Sequence, residues 1–177
     1  MQITDAAFTP PNARSVVKPY VLSHGTLECR SLADSRRFYE EFLGLECVRH
    51  NKISMLLRCG MKWHIVAVEV RDKVHPTHLL NHWGIELRTK EEVDQAWTDA
   101  NRLRDEYGIR RIQKPGLQRG VYAFYLQDRD YNWWELVYSA GFRHDEYFRA
   151  GDRFGNDAAD EAASAAAVAE RDAADRS

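Results

Sequence analysis

The chain has 177 residues, 44% of them hydrophobic and 11% aromatic, and a formal net charge of −2. That is enough for one good core or two small modules sharing one, and the absence of a basic stripe excludes a nucleic-acid partner. The longest apolar run, Ile65-Val66-Ala67-Val68, falls far short of the ~20 residues of a membrane span, and no cleavable leader pattern is present, so a soluble protein with no membrane partner is expected. Cys29, Cys47 and Cys59 form an odd set with no C-x-x-C pair. They read as reduced thiols, which places the protein in the cytoplasm.

Taken in chain order, residues 1–18 carry Pro10-Pro11 and no periodicity, and read as an N-terminal arm. Residues 19–71 form a first module. Its opening strand, residues 20–30, sets Val21, Ser23 and Gly25 against Leu22, His24 and Thr26. Asp34 or Ser35 is the expected cap of a helix whose face carries Phe38, Phe42 and Leu43, with Gly44 as its stop. Strands follow near 46–50, at 53–58 and at 62–71, the last two divided by Cys59-Gly60. Residues 72–81, with Pro76, make a linker.

The second module, residues 82–150, repeats this plan. After its first strand, Val93, Ala96, Trp97, Ala100, Leu103 and Tyr107 recur at helical spacing up to Gly108. Strands are expected near 109–113, at 121–127 and at 133–138, the last two separated by Asp128-Arg129-Asp130-Tyr131-Asn132. Residues 151–177, rich in Ala and Asp without large apolar anchors, read as a disordered tail.

The duplication is visible residue by residue. His24-Gly25-Thr26-Leu27-Glu28-Cys29-Arg30-Ser31 aligns with His82-Trp83-Gly84-Ile85-Glu86-Leu87-Arg88-Thr89, and Trp63-His64-Ile65-Val66 with Trp134-Glu135-Leu136-Val137. His24, His64, His82 and Glu135 thus occupy equivalent places. Singly, each histidine has a structural explanation and Glu135 could pair with an arginine. Yet a carboxylate amid Trp133, Trp134, Leu136 and Val137 is costly to bury without a cation or several donors. Gathered by a pseudo-twofold relation, the four residues predict a metal site. Two imidazoles and a carboxylate suit a divalent transition metal with open positions, as in non-haem Fe(II) oxygenases, whereas a closed structural zinc site would use cysteines.

The segments "LSHGTLECRSLADSRRFYEEFLGLE", "NHWGIELRT" and "YAFYLQDRDYNWWELVY" resemble the vicinal oxygen chelate superfamily, which includes glyoxalase I, extradiol dioxygenases, fosfomycin-resistance enzymes and bleomycin-binding proteins. The resemblance spans residues 20–138 and implies an α+β fold of two tandem βαβββ modules, forming a cup-shaped mixed sheet around one metal site. It implies His24, His82 and Glu135 as metal ligands. A histidine at His64, where glyoxalase I enzymes carry a metal-binding Glu, and a tyrosine ten residues before the ligand Glu, Tyr125, are most like small two-module type I extradiol dioxygenases.

That branch implies Fe(II), with Mn(II) or another divalent ion in its place, O₂ and a small catechol-type aromatic as reactants, and a homodimer. His64 would act as acid/base and Tyr125 as a hydrogen-bond donor to substrate. Trp83, Trp133 and Phe124 are available to line an aromatic pocket, with core packing as the alternative for each. The chain departs from the family in lacking a histidine between Asn101 and Tyr125, where Arg111, Lys114 and Arg119 are the basic residues, and in replacing the usual Asp-Pro-Asp-Gly turn. Competing readings are a glyoxalase-like metal-dependent isomerase or lyase and a non-enzymatic protein that binds an aromatic ligand.

Overall fold

A computed structural model describes residues 14–17, 22–60, 63–118 and 121–139. The expectations for the tail, and for the arm apart from residues 14–17, lie outside the described residues. The chain divides into two compact units, one ending at Pro76 and the other beginning at Thr77. Among the described residues no helix is long and apolar enough to cross a membrane.

In the first unit β1 (His24–Cys29) is followed by α1 (Leu32–Arg37), a π-helical turn (Phe38–Phe42), β2 (Glu46–Arg49), β3 (Ser54–Arg58) and β4 (His64–Glu69). The four strands form an open sheet in the order β1-β4-β3-β2, with β1 and β4 parallel and the other pairs antiparallel. Period-two alternation sends Leu27, Cys29, Cys47, Met55, Leu57, Ile65 and Ala67 to one buried face, and the helical segment adds Leu32, Phe38 and Tyr39 to this core. Each fully buried Leu or Phe there contributes about 1.5–3 kcal/mol. The helix begins earlier than its sequence suggests. Ser31, extended at φ −147°, is the N-cap, and its hydroxyl accepts from the Asp34 amide at 3.2 Å. Asp34 lies in the first turn, where its charge suits the helix N-terminus.

The second unit contains β5 (His82–Glu86), α2 (Lys90–Arg102), α3 (Arg104–Tyr107), β6 (Arg111–Ile112), β7 (Gly116–Gln118), β8 (Val121–Gln127) and β9 (Trp133–Tyr138). Its sheet runs β5-β9-β8-β6, with β7 also paired to β8. Thr89 caps α2, accepting from the Glu92 amide at 3.1 Å, while the Glu92 carboxylate accepts from the Arg88 amide at 2.8 Å. The single helix expected to Tyr107 is two, because Leu103 leaves helical geometry at φ −101°, ψ 13°. Strand β7 was not expected: three residues directly after Pro115 are too few to display an alternation. Both units therefore follow the βαβββ plan in a mixed α+β fold, the second with one extra short strand.

The registers of the two sheets differ. His24 lies directly opposite His64 in β1/β4, whereas His82 lies opposite Trp133 and Glu135 opposite Gly84 in β5/β9. By register the first-unit counterpart of Glu135 is Val66, opposite Thr26, and that of His64 is Trp133. Aligning Trp63-His64-Ile65-Val66 with Trp134-Glu135-Leu136-Val137 is thus out of step by two residues. A slip of two preserves which side chains face the core, so hydrophobic patterning alone does not detect it.

Candidate functional site

In the second unit, sheet alternation puts His82, Gly84, Tyr125, Gln127, Trp133 and Glu135 on one face, opposite to buried Phe124, Leu126, Trp134 and Leu136. Three of these side chains converge. His82 Nε2 lies 3.3 Å from Glu135 Oε2, and the Tyr125 hydroxyl donates to Glu135 Oε1 at 2.6 Å. The His82 and Tyr125 rings meet edge to face, 5.0 Å between centroids. Glu135 reaches His82 diagonally across the strand pair. Its direct partner, Gly84, has no side chain in the way; a Cβ there would already stand 3.7 Å from Oε2.

His82 is held from behind. Its Nδ1 lies 2.8 Å from the Leu79 carbonyl oxygen, which only accepts, so Nδ1 carries a proton and Nε2 is the ring nitrogen directed at Glu135. Two ligand atoms each about 2.1 Å from one ion, and about 90–110° apart at it, stand about 3.0–3.4 Å from one another. The observed Nε2–Oε2 separation falls in that interval. With Nδ1–H bonded to a carbonyl and the second carboxylate oxygen bonded to a tyrosine, His82 and Glu135 have the outer partners that orient metal ligands. The pair fits a shared divalent cation. Among the described residues no three His, Cys, Asp or Glu side chains already form a group suited to a metal.

In the first unit His24 and His64, directly opposite each other in β1/β4, stack with ring centroids 5.6 Å apart and planes 15° from parallel. Ser23 Oγ lies 2.8 Å from His24 Nδ1. Both histidines share a face with Thr26, Val66 and Glu28, away from the buried core. Glu28 in turn accepts from the His75 amide at 2.8 Å and lies 2.9 Å from its Nδ1. The hydrogen bond donated by the His75 backbone N–H is the largest cause holding the Glu28 carboxyl below its ordinary range.

Of the aromatic candidates, Trp133 shares the Glu135 face, while Trp83 and Phe124 fall on the other side; Phe124 is fully buried and belongs to the core. Arg119 lies outside the described residues. Lys114 and Arg111 make no contact with the His82–Glu135 pair that the structure records.

Sequence reasoning missed Asp128. This residue of the β8–β9 turn is 1% exposed. Its Oδ1 accepts from the amides of Asp130 at 2.8 Å and Asn132 at 2.9 Å, and its Oδ2 accepts from the Trp134 indole at 3.1 Å. The Asn132 amide side chain spans both oxygens, at 3.4 and 3.2 Å. Burial pushes the Asp128 carboxyl up to about 7; the Trp134 and Asn132 donors oppose that rise and the charge of Asp130 adds to it. A run of Asp, Arg and Asn reads as solvated loop. Its one distinguishing signal was an acidic residue six positions before an indole that needs an acceptor.

The paired modules, with a histidine opening each first strand and a carboxylate on the last strand of the second, define a class of metal-chelating folds. A family model described as the Glyoxalase/Bleomycin resistance protein/Dioxygenase superfamily matches residues 21–136, and the chain belongs to that superfamily, also called the vicinal oxygen chelate superfamily. No curated protein matches the chain significantly. Solved structures share the fold at low identity. FosX, a fosfomycin resistance protein from Listeria monocytogenes solved with Mn(II) and sulfate, is 19% identical over 75% of this chain and 98% of that one, with a TM-score of 0.56. Lactoylglutathione lyase from Agrobacterium tumefaciens is 18% identical over 68% and 94%, with a TM-score of 0.51. A possible glyoxalase from Bacillus cereus is 19% identical over 67% and 99%, with a TM-score of 0.53.

Proposed function

We propose that the protein is a divalent-metal-dependent enzyme in which His24, His82 and Glu135 hold the ion, and that its reaction is oxygen-dependent cleavage of a catechol-type ring beside its two hydroxyls. The observation that carries the metal reading is the His82–Glu135 pair, its ligand atoms 3.3 Å apart and each residue held by an outer partner. When bound, Fe(II) supplies adjacent open positions for two vicinal oxygens and for O₂. The chain's own residues do the rest. Tyr125, by donating to Oε1, fixes the carboxylate so that Oε2 faces His82. His64, on the His24 face of its sheet, is the imidazole available to take a proton from a hydroxyl and return it to the opened product. Trp133, opposite His82, offers an aromatic wall.

The test is anaerobic loading with Fe(II) followed by oxygen uptake over a panel of catechols. Turnover should yield a yellow ring-opened product. Glu135→Ala should abolish it, and His64→Ala should reduce it by about 10²–10⁴-fold, the usual contribution of a general acid/base. An iron-loaded protein that consumes no O₂ with any catechol overturns the ring-cleavage reading.

One observation favours a second reading. The Tyr125 proton is directed at Glu135 rather than left free for a substrate oxygen. Chemistry of the isomerase or lyase kind, in which a metal polarises a carbonyl and His64 moves a proton, needs no tyrosine donor on the substrate. Activity that persists without oxygen selects it.

A further inference from the structure

We propose that Asp128 is the positioning residue of the His82–Glu135 pair: from inside the β8–β9 turn its carboxylate fixes the register at which Glu135 faces His82. This inference rests on the reading of Glu135 as a metal ligand.

Glu135 sits third in β9, just past a turn of five residues. The turn contains Tyr131 in the left-handed region at φ +68°, a conformation its side chain disfavours. The backbone pair that closes the turn, Asp128 N to Asn132 O at 2.9 Å, leaves the Asp130 and Asn132 amides pointing inward. Both donate to Asp128 Oδ1. The other oxygen, Oδ2, takes the Trp134 indole N–H, which fixes Trp134 on the core side of the sheet. Because neighbouring strand residues point to opposite faces, fixing Trp134 inward fixes Glu135 outward, and the turn, by setting where β9 begins, brings it to the place where β5/β9 pairing puts it over Gly84 and beside His82. Every partner of the two oxygens is a donor, so a carboxylate satisfies the cluster where an amide does not. In Asp128→Asn the new NH₂ meets either the Trp134 indole N–H or the two backbone amides.

The experiment measures Co(II) affinity and the Co(II) absorption spectrum at pH 8, with native folding verified by near-ultraviolet circular dichroism. Asp128→Asn should weaken Co(II) binding tenfold or more, in the range found for outer partners of metal ligands, and should change the spectrum at saturation. Trp134→Phe removes one donor only and should weaken binding about threefold. The double variant should bind no more weakly than Asp128→Asn alone, because the donor–donor conflict disappears with the indole. Folded Asp128→Asn with wild-type affinity and spectrum overturns the proposal. If Asp128→Asn is recovered only unfolded, wild-type behaviour of Trp134→Phe overturns it equally. Glu135→Ala separates the two readings: if it binds Co(II) as tightly as wild type, the ligand reading fails; if it loses binding while Asp128→Asn keeps it, only the positioning role fails.

Discussion

Tyr131, in the turn between β8 and β9, holds a backbone conformation that favours glycine, at φ +68°. A non-glycine residue in the left-handed region costs roughly 1 kcal/mol. The ring lies under the Arg110 guanidinium, 4.1 Å from carbon to centroid, a contact that offsets about 0.5–1 kcal/mol of that cost. The carbonyl of Tyr131 also accepts from Thr77 at 2.9 Å. The two effects are separable. Tyr131→Ala keeps the strained backbone and loses the stacking, and should destabilise the protein by about 0.5–1 kcal/mol. Tyr131→Gly loses the stacking but relieves the backbone, and should be more stable than the alanine variant by about 1 kcal/mol in urea unfolding. Equal stability of the two variants would show that the conformation carries no cost.

At the scale of elements, the two helical segments end on glycines that face different surroundings. Gly44 and Gly108 have φ +70° and +67°. A Cβ at Gly44 meets nothing within 4 Å, whereas one at Gly108 lies 3.2 Å from the Arg129 Cβ, in the β8–β9 turn. Gly44→Ala should cost about 1 kcal/mol from backbone strain alone. Gly108→Ala should cost more by thermal unfolding, and should also disturb the turn that precedes Glu135. These glycines, the repeat and nearly every strand were legible because each left a local signature: a left-handed stop, a period of two, a duplicated string. The N-cap at Ser31, the break at Leu103 and strand β7 were less so, since they depend on hydrogen bonds that compete over single residues. His82, Tyr125 and Glu135 were singled out from the repeat and the family spacing, and the structure brings these three side chains together. The Leu79 carbonyl that meets His82, and the buried Asp128 of the turn, escaped, because a backbone carbonyl and a loop aspartate carry no pattern until folding buries them.

At the scale of the whole molecule, Asp128 links this turn to the pH dependence of stability. Burial raises its carboxyl to about 7 in the folded chain, from the ordinary 3.8. Below about pH 4 the group is protonated in both states. Between about pH 4 and 7 the unfolded chain ionises first, so the contribution of this group to stability is lost as pH rises, and the loss is complete above the folded value. Wild type should therefore fall relative to Asp128→Asn across that interval and hold a constant difference above it, as read by urea unfolding at stepped pH. A difference that does not vary with pH would mean that Asp128 ionises in the fold as it does in the free chain.

The two-residue offset between the sheets also has a bearing on redesign. A carboxylate meant to stand beside His24 as Glu135 stands beside His82 belongs at Val66, with Thr26 reduced to glycine in imitation of Gly84, and not at His64. Duplication copied the framework, but the strand pairing chose the place for the acid. Grafting chemistry from one half to the other must follow hydrogen-bonded neighbours rather than matching letters.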